Sequence, residues 1–157
     1  MAWRLRVEAQ AVSFTRDGDK ILFLLVKKAN GWRIPKGGVE KGEDFPETIV
    51  RELWEEVGIE EDRIVVMDKF NEYMYEDVRA EILHNPHVFL VYIRGKPEPK
   101  PDYEEISAAK WVDFRTAERM LRFKEEKNTL KRAMELISGL DKAKIDMLER
   151  GDTRLSM

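Results

Sequence analysis

Residues 21–28 read "ILFLLVKK", an apolar run broken only at its basic end. A run this short and this apolar is a strand buried on both faces of its sheet. Ahead of it, "RLRVEAQAVSF" (4–14) alternates, with Leu5, Val7, Ala9 and Ala11 on one side, which is the period of a strand. Asp17-Gly18 between the two supplies the chemistry of a hairpin turn. "RIVVMDKFNEYMYED" (63–77) and "HVFLVYIRG" (87–95) read as two further strands, and "AKWVDF" (109–114) as a last one. "NGWRIP" (30–35) is a loop with a short extended piece, and the Pro-rich, charged "KPEPKPDYEE" (96–105) is a loop.

Helical signals fall in the middle and at the end. Asp44 can cap a helix over Phe45–Val57, Glu47 completes a capping box, and Gly58 can end it. Val50, Leu53 and Val57 form its sheet-facing cluster. From Thr116 onward the pattern is helical, with a break expected at Gly139; Leu130, Met134 and Ile137 mark a core-covering helix. These elements specify an α/β chain, a mixed sheet with helices packed on it. Residues 1–139 form the expected domain and 140–157 a C-terminal helical extension or tail. The amphipathic piece around Ile145 and Leu148 docks on the domain, forms a dimer contact or frays, so monomer and homodimer both stand.

The chain has 157 residues, enough for one domain with a real core. Its net charge of −3 argues against an extended nucleic-acid surface, though not against a local basic pocket. No apolar run approaches the roughly 20 residues of a membrane span, and "MAWRLRVEAQ" lacks the apolar stretch of a secretory signal. With no Cys, thiolate metal sites and disulfides are excluded. The expected location is cytoplasmic.

The densest chemistry lies in "IPKGGVEKGEDFPETIVRELWEEVGI", Ile34–Ile59. Glu52, Glu55 and Glu56 are spaced i, i+3 and i+4, so they share one helix face. Three carboxylates on one stripe repel, and Arg51 and Lys41 look too few to neutralise them. A hard divalent cation relieves that repulsion, and Mg²⁺ prefers carboxylate oxygen while keeping waters for a phosphate substrate. Glu43, just before the helix, can reach the same ion. The plain alternative is a solvated acidic face.

Gly37, Glu43, Arg51-Glu52-Leu53, Glu55-Glu56 and Gly58-Ile59 resemble the Nudix box at every specified position. The resemblance implies a Nudix-type α/β/α sandwich and hydrolysis, with Mg²⁺ or Mn²⁺, of a nucleoside diphosphate linked to another group. It implies that Glu52, Glu55 and Glu56 bind metal, that Glu43 contributes directly or through water, and that Glu52 is a candidate general base. Arg51 would buttress the acids, and Gly37 and Gly42 would form a tight loop whose peptide groups approach the ion. In such a site the metal lowers the pKa of water and neutralises charge as water attacks phosphorus. A base or further ligand ahead of the last core strand corresponds to Glu105, with Glu104 its rival.

Pro35-Lys36-Gly37 is similar to the form found in diadenosine polyphosphate hydrolases, where Lys36 would contact phosphate. "NEYMYED" (71–77) resembles their strand that stacks adenine, pointing to Tyr75 ahead of Tyr73. His87 matches a basic phosphate-binding position. Gly38 departs from relatives that carry a His there, and "YEDVRAEILHNPH" (75–87) gives a longer connection. The expected substrate is a small nucleotide, diadenosine tetraphosphate cleaved to ATP and AMP. ADP-sugar, inositol pyrophosphate or damaged nucleoside triphosphate hydrolysis, and a non-catalytic RNA- or ligand-binding module, are the alternatives.

Overall fold

In the computed structural model, which describes residues 2–151, strand β1 (Arg4–Asp17) turns into β2 (Lys20–Lys28) through Gly18-Asp19. Gly18 has φ 61, a left-handed conformation that glycine adopts without a Cβ penalty. The turn pair is therefore Gly18-Asp19, not Asp17-Gly18, since Asp17 already pairs with Lys20. The hairpin stays paired only over Phe14–Asp17 and Lys20–Phe23. Beyond that the strands part. The gap is entered by β3 (Gly31–Arg33), paired to β2, and β4 (Lys36–Gly38), paired to Glu8–Gln10 of β1.

On its other side β1 runs parallel to β7 (Ile82–Ile93) over Arg4–Phe14. Strand β5 (Ile64–Glu72) and the short β6 (Tyr75–Asp77) pair antiparallel with β7, and β8 (Ala108–Val112) pairs with β2. The sheet is mixed, as expected. The single strand anticipated over 63–77 is two, separated after register shifts between Val66 and Asn71. The anticipated long connection is largely strand: only 78–81 lie between β6 and β7, because Tyr75–Asp77 pairs directly with Ile82–His84.

The two-sided burial read from "ILFLLVKK" is visible residue by residue. Leu24 and Val26 pack on one face with Ala9, Ala11, Phe89 and Val91. Phe23 and Leu25 pack on the other with Val12, Phe14, Leu90 and Tyr92. Helix α1 (Phe45–Val57) covers the first face with Ile49, Leu53 and Val57; Ile49, not Val50, is the buried partner, one position round the helix. Each such fully buried aliphatic side chain contributes about 1.5–3 kcal/mol. Leu5, expected inside, is 60% exposed near the strand's start.

The second face is covered by α2 (Phe114–Met120), α3 (Lys124–Ser138) and α4 (Lys142–Arg150). Leu130, Ile137, Ile145 and Leu148 enter its core. Helix α4 is docked: Arg16 pairs with Asp146 at 2.5 Å, Arg94 donates to Leu148 O, and the Tyr92 hydroxyl donates to Glu149. The remaining residues of the extension, 152–157, lie outside the described part. The result is an α/β/α sandwich.

Candidate active site

Helix α1 starts where the sequence dictates. Asp44 accepts from Glu47 N at 2.8 Å and Glu47 accepts from Asp44 N at 3.1 Å, a complete capping box. At the other end Gly58, φ 67, closes the helix through its N–H to Trp54 O. With Ile49, Leu53 and Val57 on the sheet, 100° per residue puts Glu52 and Glu56 on one adjoining side, Glu52 against β4 and Glu56 toward Lys28 at the end of β2. Gly37 meets Glu52 so closely that a Cβ there would lie 2.0 Å from Glu52 Cδ. A side chain at 37 would have to displace the Glu52 carboxylate.

Arg51 organises the acids around it. It donates to both oxygens of Glu43, at 2.6 and 3.1 Å, to Glu52 at 2.7 Å, to Glu55 at 3.3 Å and to Gly38 O at 2.9 Å. Glu43 also accepts from Thr48 Oγ1 and Glu40 N. Arg51 first, then Thr48, hold the Glu43 carboxyl down at about 2. One arginine thus binds three of the four acids, more neutralisation than the sequence suggested.

Glu56 is different. It is 2% exposed, and neither carboxylate oxygen has a hydrogen-bond partner. Lys28 Nζ stands 3.8 Å from it and 3.6 Å from Glu105. Burial first, with the neighbouring Glu52 and Glu105 adding to it, pushes the Glu56 carboxyl well above the usual range despite Lys28. Among the described residues, no group of three or more His, Asp or Glu side chains is already gathered round one point in a metal-holding arrangement. The acids are held by Arg51 and Lys28. The orphaned pair of buried oxygens on Glu56, one helical turn from Glu52, nevertheless fits a hard cation.

The cleft has two chambers. The larger, about 580 Å³, is lined by Arg33, Tyr73, Tyr75, Val78, Phe123 and Glu126 among others. The smaller, about 250 Å³, is lined by Gly37, Glu52, Glu105, Lys28, Arg6 and Glu8 among others. Lys36, Asp77 and His84 line both. Tyr75 lies in the larger chamber, stacked on His84 at 4.5 Å and 5°, with Lys36 Nζ 5.4 Å from its ring. Lys36 and Tyr75 are therefore brought together, and Glu105 reaches the acid chamber with its side chain 65% exposed.

His87 lines neither chamber. It stacks on Phe45 at 4.5 Å and its Nε2 pairs with Asn85 Oδ1 at 2.9 Å. Position 87 is three residues from His84 on one unbulged strand, and an odd spacing puts the two rings on opposite faces. His84, and not His87, lines both chambers. Sequence reading also missed Glu8 and Lys28. Glu8 is 1% exposed and gathers Lys36 at 2.7 Å, Arg6 at 3.1 Å and His84 at 3.2 Å. Burial raises its carboxyl, but Lys36 and then His84 and Arg6 outweigh that and hold it below the usual value. The signal was available: a Glu inside an alternating buried strand needs cationic partners.

These features define an α/β/α sandwich with an acid-bearing helix facing a glycine loop. A NUDIX domain family model matches residues 4–134, and the chain belongs to that family. The asymmetrical bis(5'-nucleosyl)-tetraphosphatase of Mus musculus is 29% identical over 120 residues, 73% of this chain and 79% of its own. An RNA pyrophosphohydrolase of Cereibacter sphaeroides is 38% identical over 52 residues, a third of each chain (33% and 32%). In three dimensions a C. elegans Ap4A hydrolase in a binary complex superposes with a TM-score of 0.78 at 22% identity, over 86% of this chain and 99% of that one; this likeness concerns the fold. The resemblance drawn from the box and the α/β/α expectation are both borne out. Family members generally use divalent metal ions.

Proposed function

We propose that this chain is a metal-dependent pyrophosphohydrolase that cleaves diadenosine tetraphosphate asymmetrically to ATP and AMP. The observation that carries the reading is the pair of adjoining chambers: an aromatic one of about 580 Å³ and an acid-bearing one of about 250 Å³ that share Lys36, Asp77 and His84 in their walls. The tetraphosphatase relatives support it at 29% identity.

In this reading Glu52 and Glu56 hold Mg²⁺ or Mn²⁺, with Glu55 and the Gly37 peptide contributing, while Glu43 acts through its grip on Arg51. The ion, when bound, polarises phosphate oxygens and activates water. The chain's own residues do the rest. Lys36 and His84 orient the polyphosphate where the chambers meet. Tyr75 stacks the purine. Glu52 or Glu105 takes the proton from the attacking water; both border the acid chamber. Residues 1–139 form the catalytic domain, with α4 as an extension docked on it, and the protein acts in the cytoplasm as a monomer or homodimer. Among the described residues no helix is long and apolar enough to cross a membrane.

The test is competition between diadenosine tetraphosphate and ADP-ribose with Mg²⁺ in one tube, products resolved by ion exchange. ATP and AMP in equal amounts, formed ahead of ADP-ribose cleavage, are expected. Preference for ADP-ribose overturns the substrate and spares the family. Preference for a 5'-triphosphorylated RNA oligonucleotide in a parallel arm favours the reading suggested by the RNA pyrophosphohydrolase relatives.

A further inference from the structure

Lys28 is the last residue of β2, and nothing in the motif calls for a lysine there. Its side chain is 16% exposed, and its ammonium lies 3.8 Å from Glu56 and 3.6 Å from Glu105. Glu56 has no hydrogen-bond partner on either oxygen, and among the described residues this ammonium is the one cation within 4 Å of it. Arg51 makes five hydrogen bonds of its own, to Glu43 twice, Glu52, Glu55 and Gly38 O, and none to Glu56.

We propose that Lys28 is a positioning residue of the metal centre: a built-in counter-cation that keeps Glu56 and Glu105 together when no divalent ion is bound, and competes with that ion for them. The inference rests on the metal reading given above. The physical argument is Coulombic. A fixed unit charge within 4 Å of a donor carboxylate stabilises the ion-free state and repels an incoming divalent cation. The distances, beyond direct hydrogen bonding, describe an ammonium held by field between two acids and free to turn away, as a four-carbon stem allows.

The consequence has a sign opposite to that of an ordinary site residue. Removing Lys28 tightens metal binding. The experiment titrates full-length parent, Lys28→Met and Lys28→Arg with Mn²⁺ alone, reading free Mn²⁺ by electron paramagnetic resonance, and follows thermal unfolding of the metal-free proteins at pH 8. Lys28→Met is expected to bind Mn²⁺ roughly tenfold more tightly and to melt lower without metal, while Lys28→Arg stays near the parent in both. Equal or weaker Mn²⁺ binding by a folded Lys28→Met overturns the inference, as does a Lys28→Arg variant that behaves like Lys28→Met. A parent chain that binds no Mn²⁺ overturns the metal reading itself, and this inference with it.

Discussion

The Glu52 side chain fills the place where a Cβ at position 37 would stand: that atom would lie 2.0 Å from Glu52 Cδ and 2.2 Å from Oε1. The Glu52 side chain of helix α1 thereby lies directly against strand β4 at the point where the chemistry is proposed. Gly37→Ala must push Glu52 away or shift β4, whose backbone is paired to Ala9. We expect a loss of about 1–3 kcal/mol of stability, as in overpacking, and a fall in kcat of at least 10²-fold, since a displacement of about 1 Å is that costly. Urea unfolding and steady-state kinetics check both; a variant with parental kcat would separate Gly37 from the site.

Glu56→Gln should abolish most turnover while leaving the fold intact, because the isosteric amide cannot hold a hard cation. Its metal-free stability should move the other way. The carboxyl has a folded pKa above its unfolded value, so the native state keeps its proton while the unfolded state ionises, and stability falls as pH rises above about 4.5. Glutamine removes that penalty. The variant should be more stable than the parent by about 1–3 kcal/mol at pH 8, with the gap closing below pH 4.5. Parallel chelator-treated melts at both pH values decide it.

Arg51 and Glu43 predict the reverse dependence. Glu43 is held at about 2 in the folded chain, so its contribution is present above the unfolded value near 4.5 and is lost as pH falls toward 2. Arg51→Gln should flatten this acid limb and also lower activity, because Glu52 loses its 2.7 Å partner. Unfolding midpoints from pH 7 to 2 provide the measurement; an unchanged acid limb would show that Arg51 does not hold Glu43 in solution.

The proton acceptor is resolved by comparison. If Glu52 or Glu105 serves as base, its Gln variant should lose roughly 10²–10⁴-fold in kcat. A pure base leaves Mn²⁺ affinity near the parental value, whereas a ligand weakens it. Losses confined to metal affinity in both variants would remove both from the role.

The two histidines offer an internal control. His84→Ala and Tyr75→Ala dismantle one stacked pair and should raise KM by about 2–10-fold, the worth of an aromatic contact. His87→Ala should leave KM within about twofold, since His87 packs on Phe45 away from the cleft. A KM effect at His87 equal to that at His84 would contradict the face assignment.

The box, the helix caps and the two-sided burial of β2 were legible in the sequence because each is local: capping, 3.6-residue periodicity and apolar runs are fixed by residues a few positions apart. Spacing alone also put Glu52, Glu55 and Glu56 within reach of one another. It could not show that Arg51 takes Glu52 and Glu55 along with Glu43, while Glu56 turns inward with both oxygens unpartnered. That difference comes from docking Ile49, Leu53 and Val57 on the sheet, which buries one side of the acidic stripe and leaves the other wet. Likewise, that His84 lines the cleft and His87 does not depends on the parity of β7 against the sheet. The roles of Glu8 and Lys28 depend on β1 and β2 parting to admit β3 and β4. Long-range strand pairing brings those side chains to the acids, and the charge of a residue says nothing of its partner until the pairing is made.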